Sequence, residues 1–199
     1  MDSKGVTEQP TSFERPETGV DPAESRGALV RASTPSTTHS TPPHTPGGGT
    51  ALPAQARTTL LDHLDRGGGL LCMHSASICF DDWQGWPRVL GGSWTWPKSH
   101  HPPLGWTGVR VHGTHPVVEG LRDFDVVDEV YSDLDVLPDV EPLASANGQP
   151  LVWARPVRRG RVFYDALGHD TRSYDNEIHR TMLQRAAMWL LKRPVTIMD

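Results

Sequence analysis

The spacing of apolar and polar positions changes near residue 50. Beyond it, "PAQARTTLLDHLDRGGG" (53–69) sets Leu60, Leu61 and Leu64 on one helical face, with Pro53 at the start and Gly67 as the stop. "LLCM" (70–73) is short and wholly apolar, as strands buried in a parallel sheet are. "GVRVHG" (108–113) alternates and predicts a strand. "PLVWARPVRRGRVFYDALGHD" (150–170) predicts a hairpin. Its strands are Leu151 to Ala154 and Arg161 to Ala166, with a turn at Val157 to Gly160. "NEIHRTMLQRAAMWLLKR" (176–193) repeats its stripe at Ile178, Met182, Arg185/Ala186 and Trp189, and Pro194 follows, so an amphipathic helix closes the chain. A helix, a buried strand, mixed strands and a closing helix describe an α/β domain.

Before residue 50 no such period exists. Residues 33–50, "STPSTTHSTPPHTPGGGT", are almost entirely Ser, Thr, Pro and Gly, and residues 1–32 hold only "GALV" as an apolar run. Too little apolar surface is available there to offset ordering entropy, so residues 1–50 are expected to be a disordered tail and 51–199 the folded domain. The N-terminus has no apolar core of a signal peptide, and no run approaches the roughly 20 residues that cross a bilayer. A net charge of -5 offers no basic footprint for nucleic acid. Cys72 and Cys79 are the two cysteines, too few for a disulfide framework. They read as reduced thiols of a cytoplasmic protein.

The chemistry concentrates where "LLCM" ends in His74-Ser75-Ala76-Ser77. Cys72 lies inside the apolar run, where a thiol is a poor thiolate. Ser75 lacks the flanking glycines of a G-x-S-x-G elbow, which leaves it as a helix cap or ligand contact. Trp83, Trp86, Trp94 and Trp96 would serve either a sugar-stacking surface or a loop-rich core. Trp83 is the first choice for a cleft because it follows the turn closely.

Six segments in order, "DRGGGLLCMHSAS", "GGSWTWPKSHHPP", "HGTHPVVEGL", "FDVVDEVYSD", the hairpin and the final helix, resemble the trehalose-utilisation (ThuA-like) family. The likeness runs from about Ala54 to about Lys192. It implies a flavodoxin-like three-layer sandwich akin to class I glutamine amidotransferases. It also implies that the chain holds the C-terminal two-thirds of that domain, because the family's strand, helix and strand ahead of "GGGL" have no counterpart in the Ser/Thr/Pro segment. That leaves room for a homo-oligomer or a partner chain completing the sheet.

The resemblance puts His74 at the address of the amidotransferase nucleophile, where a histidine serves proton transfer or metal binding rather than thioester chemistry. It places His169 across the same cleft, with Asp170 as its orienting residue or as a turn cap. Glu129 and Tyr131 match a segment lining that cleft, though a solvated acidic loop would read the same way. His101 matches a His-Pro position that would reach it on a loop. His74, Glu129 and His169 would then be catalytic, and they are also the ligands if a divalent metal such as zinc binds. Ser75, Trp83, His101, Tyr131 and Asp170 would contact substrate. The expected partner is a small-molecule carbohydrate, a trehalose-like disaccharide or its keto form, with neither nucleic acid nor membrane. A sugar-binding module without catalysis and a truncated remnant without activity are the alternatives. His115-Pro116 reads as a turn, His100 has no matching role, and His39, His44, His63, His112 and His179 read as surface or structural.

Overall fold

The structure, a computed structural model, describes residues 27–30 and 51–195. In chain order its elements are β1 (Gly27–Val30), α1 (Ala54–Asp65), β2 (Gly69–Met73), α2 (Trp86–Leu90), β3 (Gly92–Ser93), β4 (Gly105–Val111), β5 (Phe124–Asp128), β6 (Asp135–Val136), β7 (Pro142–Ala146), β8 (Gln149–Val157), β9 (Gly160–Asp165) and α3 (Glu177–Leu190). Two 3-10 turns, His74–Ile78 and Thr171–Asp175, follow β2 and precede α3.

Seven strands form one sheet in the order β1-β2-β9-β8-β7-β4-β5, and β3 pairs with β6 separately. β1, β2 and β9 run parallel, and every later neighbour pair is antiparallel. The expected hairpin is β8–β9, with Val157 opposite Gly160. Within the segment expected to be a tail, Gly27–Val30 forms β1, in register with Gly69 to Cys72. The rest of that segment lies outside the described residues. The family's strand–helix–strand ahead of β2 is thus represented, among the described residues, by one strand.

Helices cover both faces of the sheet. Gly160 faces α1, since a Cβ there would meet Leu64 Cδ2 at 2.8 Å. Its neighbour Arg161 reaches the carbonyl of Trp189 in α3. Successive strand residues point to opposite faces, so α1 and α3 lie on opposite sides of β9. The core gathers Leu64, Leu70, Trp86, Leu90, Trp153, Phe163 and Met182, all at most 1% exposed. The Trp153 indole N–H donates to Leu90 O at 2.8 Å and that of Trp86 to Ala76 O at 2.8 Å, so two large rings are buried without orphaned donors.

Candidate active site

β2 delivers His74 in a strained conformation. Its φ of 43° is left-handed, an uncommon place for a side chain with a Cβ. The turn is held by the Tyr164 hydroxyl, which donates to His74 O at 2.9 Å and lies 3.0 Å from Ser77 Oγ. The imidazole is fixed from both sides. Nδ1 is 2.7 Å from Ala166 O, an acceptor, so Nδ1 carries the hydrogen. Nε2 is then the ring's acceptor, and the Tyr131 hydroxyl donates to it at 3.0 Å. Burial holds His74 below the ordinary histidine value, against the opposing pull of the Ala166 carbonyl and the Asp128 and Glu129 carboxylates.

The segment after β5 supplies the carboxylate. Asp128, 2% exposed, accepts from Gly168 N at 2.7 Å, from His169 N at 3.3 Å and from Glu129 N at 2.8 Å. One buried side chain therefore ties the chain after β5 to the chain after β9. Glu129 is the result: Oε2 lies 3.1 Å from His169 Nδ1 and 3.7 Å from His74 Nε2, and Oε1 lies 3.3 Å from His101 Nδ1. The His74 and His169 rings meet edge to face at 5.4 Å. Potential ligand atoms of His74, Glu129 and His169 all lie within 4.8 Å of one another, a nitrogen and oxygen set suited to a divalent ion.

His101 arrives on a loop clamped by two backbone bonds between His100 and Ser132, 3.1 and 2.8 Å. Tyr131, 3% exposed, forms the wall behind it, and burial raises its phenol well above the ordinary tyrosine value. Trp94 stands perpendicular to Tyr131 at 5.0 Å, 6.0 Å from His101 and 5.3 Å from Trp96.

The structure thus brings His74, Glu129, His169, His101 and Tyr131 together. Trp83 sits elsewhere, against Trp86 and beneath the Arg57 guanidinium. Its place at the cleft is taken by Trp94, whose backbone N–H donates to Ser77 O at 2.9 Å and so returns the chain to the turn. Asp170 caps the 3-10 turn through Arg172 N at 2.9 Å and pairs with the Arg172 side chain. Ser75 lies in the turn itself, and its carbonyl accepts the Cys79 thiol at 3.3 Å. Burial raises the Cys72 thiol far above its ordinary value, in keeping with an inert core residue. Asp128 went unnoticed in the sequence. The signal was there in the paired acids of "VVDEVY" at the end of an apolar strand, and both side chains are buried.

A sequence model of the family described as ThuA, trehalose utilisation, matches residues 30–190. Among solved structures, a ThuA-like protein from Parabacteroides merdae superposes with a TM-score of 0.65 at 20% identity, covering 76% of this chain and 70% of that one. A ThuA-like protein from Bacteroides uniformis gives 0.56 at 20% identity, with 71% and 66% covered. A cytoplasmic protein from Salmonella typhimurium gives 0.55 at 17% identity, with 68% and 60% covered. The chain thus spans about two-thirds or less of the last two proteins' lengths. No curated protein matches it. Among the described residues, no helix is long and apolar enough to cross a membrane.

Proposed function

Because the chain belongs to the trehalose-utilisation (ThuA) family, we propose that it is an enzyme of carbohydrate utilisation acting on a trehalose-like disaccharide or its keto form. The reaction is proton transfer at His74, Glu129 and His169. The observation carrying this reading is the sharing of one buried carboxylate, Glu129, between His169 and His101, with the His74 acceptor nitrogen facing it.

Each group has a separable task. The Nδ1–H of His74 is committed to Ala166 O, so its Nε2 lone pair is the fixed proton acceptor, a role suited to abstracting a proton from a sugar carbon or hydroxyl. His169 is about 40% exposed at its side chain and backed by Glu129 at 3.1 Å, so it presents its outer nitrogen to a ligand as the partner acid. Glu129 stabilises the imidazolium formed when either ring takes a proton. Trp94, partly exposed and backed by the buried Tyr131, supplies an apolar face for a sugar ring. No thiolate stands at the turn, so glutaminase-type acyl transfer has no nucleophile there.

The test is turnover of keto-disaccharides by the full chain beside His74→Ala and His169→Ala. Each substitution is expected to lower kcat by about 10²- to 10⁴-fold, the usual worth of a positioned acid or base. Undiminished turnover in both variants refutes the assignment. Disaccharide binding without turnover selects a sugar-binding module instead.

A further inference from the structure

We propose that His74 Nε2, the Glu129 carboxylate and His169 Nδ1 bind one divalent cation of the zinc class. The proposal rests on the cleft being the reactive centre; with the ion bound, His74 Nε2 is a ligand and not the free proton acceptor, and Lewis-acid polarisation of the substrate would take over that role.

Glu129 is buried, with its side chain 10% exposed, and its ion-pair partners among the described residues are three imidazoles. None is a lysine or arginine. Buried carboxylates are found paired with a cation or coordinating a metal, because an isolated one is costly to desolvate. Imidazoles are conditional cations, whereas a divalent ion is a permanent one.

Metal-bound histidines commonly donate their other ring N–H to a carbonyl or carboxylate. His74 already does so through Ala166 O at 2.7 Å, which leaves Nε2 toward Glu129 and His169. Zinc bonds of 2.0–2.1 Å in a tetrahedral site put ligand atoms about 3.3 Å apart. The carboxylate oxygen lies 3.1 Å from one nitrogen and 3.7 Å from the other. The three ligands stand on segments fixed by β2, β5 and β9 and their ligand atoms all lie within 4.8 Å of one another, so closing them round an ion requires the more exposed His169 to move inward.

Two neighbours complete the site. His101 contacts the other carboxylate oxygen, Oε1, and so steadies Glu129 from behind. The Tyr131 hydroxyl now occupies the His74 Nε2 lone pair. A cation there would take that lone pair and free the O–H for water or a sugar hydroxyl. Two histidines and one glutamate leave a zinc position open, to polarise a keto-sugar carbonyl.

Zinc chloride titrated by calorimetry into the metal-stripped full chain tests this, with melts to check the fold. One ion per chain is expected to bind. Glu129→Gln and His169→Ala should weaken binding by about tenfold or more. His101→Ala should weaken it less, and His112→Ala, remote from the cleft, not at all. Tyr131→Phe should bind at least as tightly, having lost the group that competes for Nε2. His169 is half-exposed, so His169→Ala preserves the test if Glu129→Gln does not fold. Lack of saturable binding, an affinity unchanged in His169→Ala, or binding lost in folded Tyr131→Phe overturns the proposal. Binding is read without substrate, so the two proposals fail separately: zinc bound by the wild type with turnover intact in both His74→Ala and His169→Ala sinks the proton-transfer reading, and wild-type turnover without zinc binding sinks the metal.

Discussion

Asp165 and His179 have no exposure to solvent, and both nitrogens of the His179 ring face acceptors. Nδ1 lies 2.8 Å from Ser173 O, and Nε2 lies 2.8 Å from Asp165 Oδ2. Only an imidazolium donates to both. The ring is stacked between Phe124 and Tyr174, at interplanar angles of 14° and 8°. Burial opposes the charge, but the Asp165 and Asp128 carboxylates and the Ser173 carbonyl outweigh it, so His179 sits above the ordinary histidine value. A group raised in the folded state stabilises fully below its unfolded value, about 6.5, and the benefit is lost as pH rises through the folded value. Melts across that range should therefore show wild-type Tm falling on the alkaline side of about pH 6.5, with no such fall in His179→Gln. A flat wild-type profile would rule out the charged pair. His179→Ala should cost about 3–5 kcal/mol in chemical denaturation, because Asp165 would be left buried and unpaired. His179 was legible only as surface or structural. The apolar spacing of the last helix gives Ile178, Met182, Arg185/Ala186 and Trp189; Met182, Arg185 and Ala186 are buried as read, but at the two ends the buried stripe takes His179 and Leu190 in place of Ile178 and Trp189. A helical pattern locates a face to within one residue, and here the neighbouring residue is the buried charge.

At the passage from α1 into β2, Gly67 and Gly69 have distinct causes. Gly67, at φ 87°, ends α1: its N–H bonds Leu64 O at 2.9 Å and that of Gly68 bonds His63 O at 2.9 Å, a Schellman pair that needs a left-handed residue. Gly69 is a matter of space. A Cβ there would come within 2.6 Å of Leu190 O and 2.7 Å of Leu190 Cβ, inside the crossing of α3 over β2. Gly69→Ala should push the C-terminal end of α3 off the sheet and lower stability by about 1–3 kcal/mol, read by urea denaturation. An unchanged midpoint would mean that α3 packs more loosely than the structure shows. The elements with a strong period, α1, the end of β4, the β8–β9 hairpin and α3, were readable, and so was β2 from its unbroken apolar run. The two-residue strands β3 and β6 were not, since two residues hold no period and their pairing is decided by the loops around them.

At the level of the whole molecule, the site depends on a sheet that curls. β5 is the last strand of the order and β9 the third, yet Asp128 at the end of β5 accepts the amides of Gly168 and His169 beyond β9. Asn176 Nδ2 donates to Asp125 O at 3.0 Å, and His179 stacks on Phe124, so the segment leading into α3 bridges the same gap. Local patterning carries no information on which distant strand ends meet, which is why the cluster had to come from family likeness and not from spacing. At the opposite edge, β1 lies along β2 through four register pairs, and β2 carries His74 at its end. Without β1, the backbone of an apolar strand, with Leu70 and Cys72 at most 1% exposed, would become an open sheet edge. Open apolar edges pair with other chains. A variant beginning at residue 51 should therefore melt below the full chain and elute in part as aggregate in gel filtration. Its His74 and Tyr131 should lose their contact as the end of β2 loosens. Equal Tm and a single monodisperse peak would show that the sheet is closed at β2 without Gly27–Val30, and that the folded domain starts at α1.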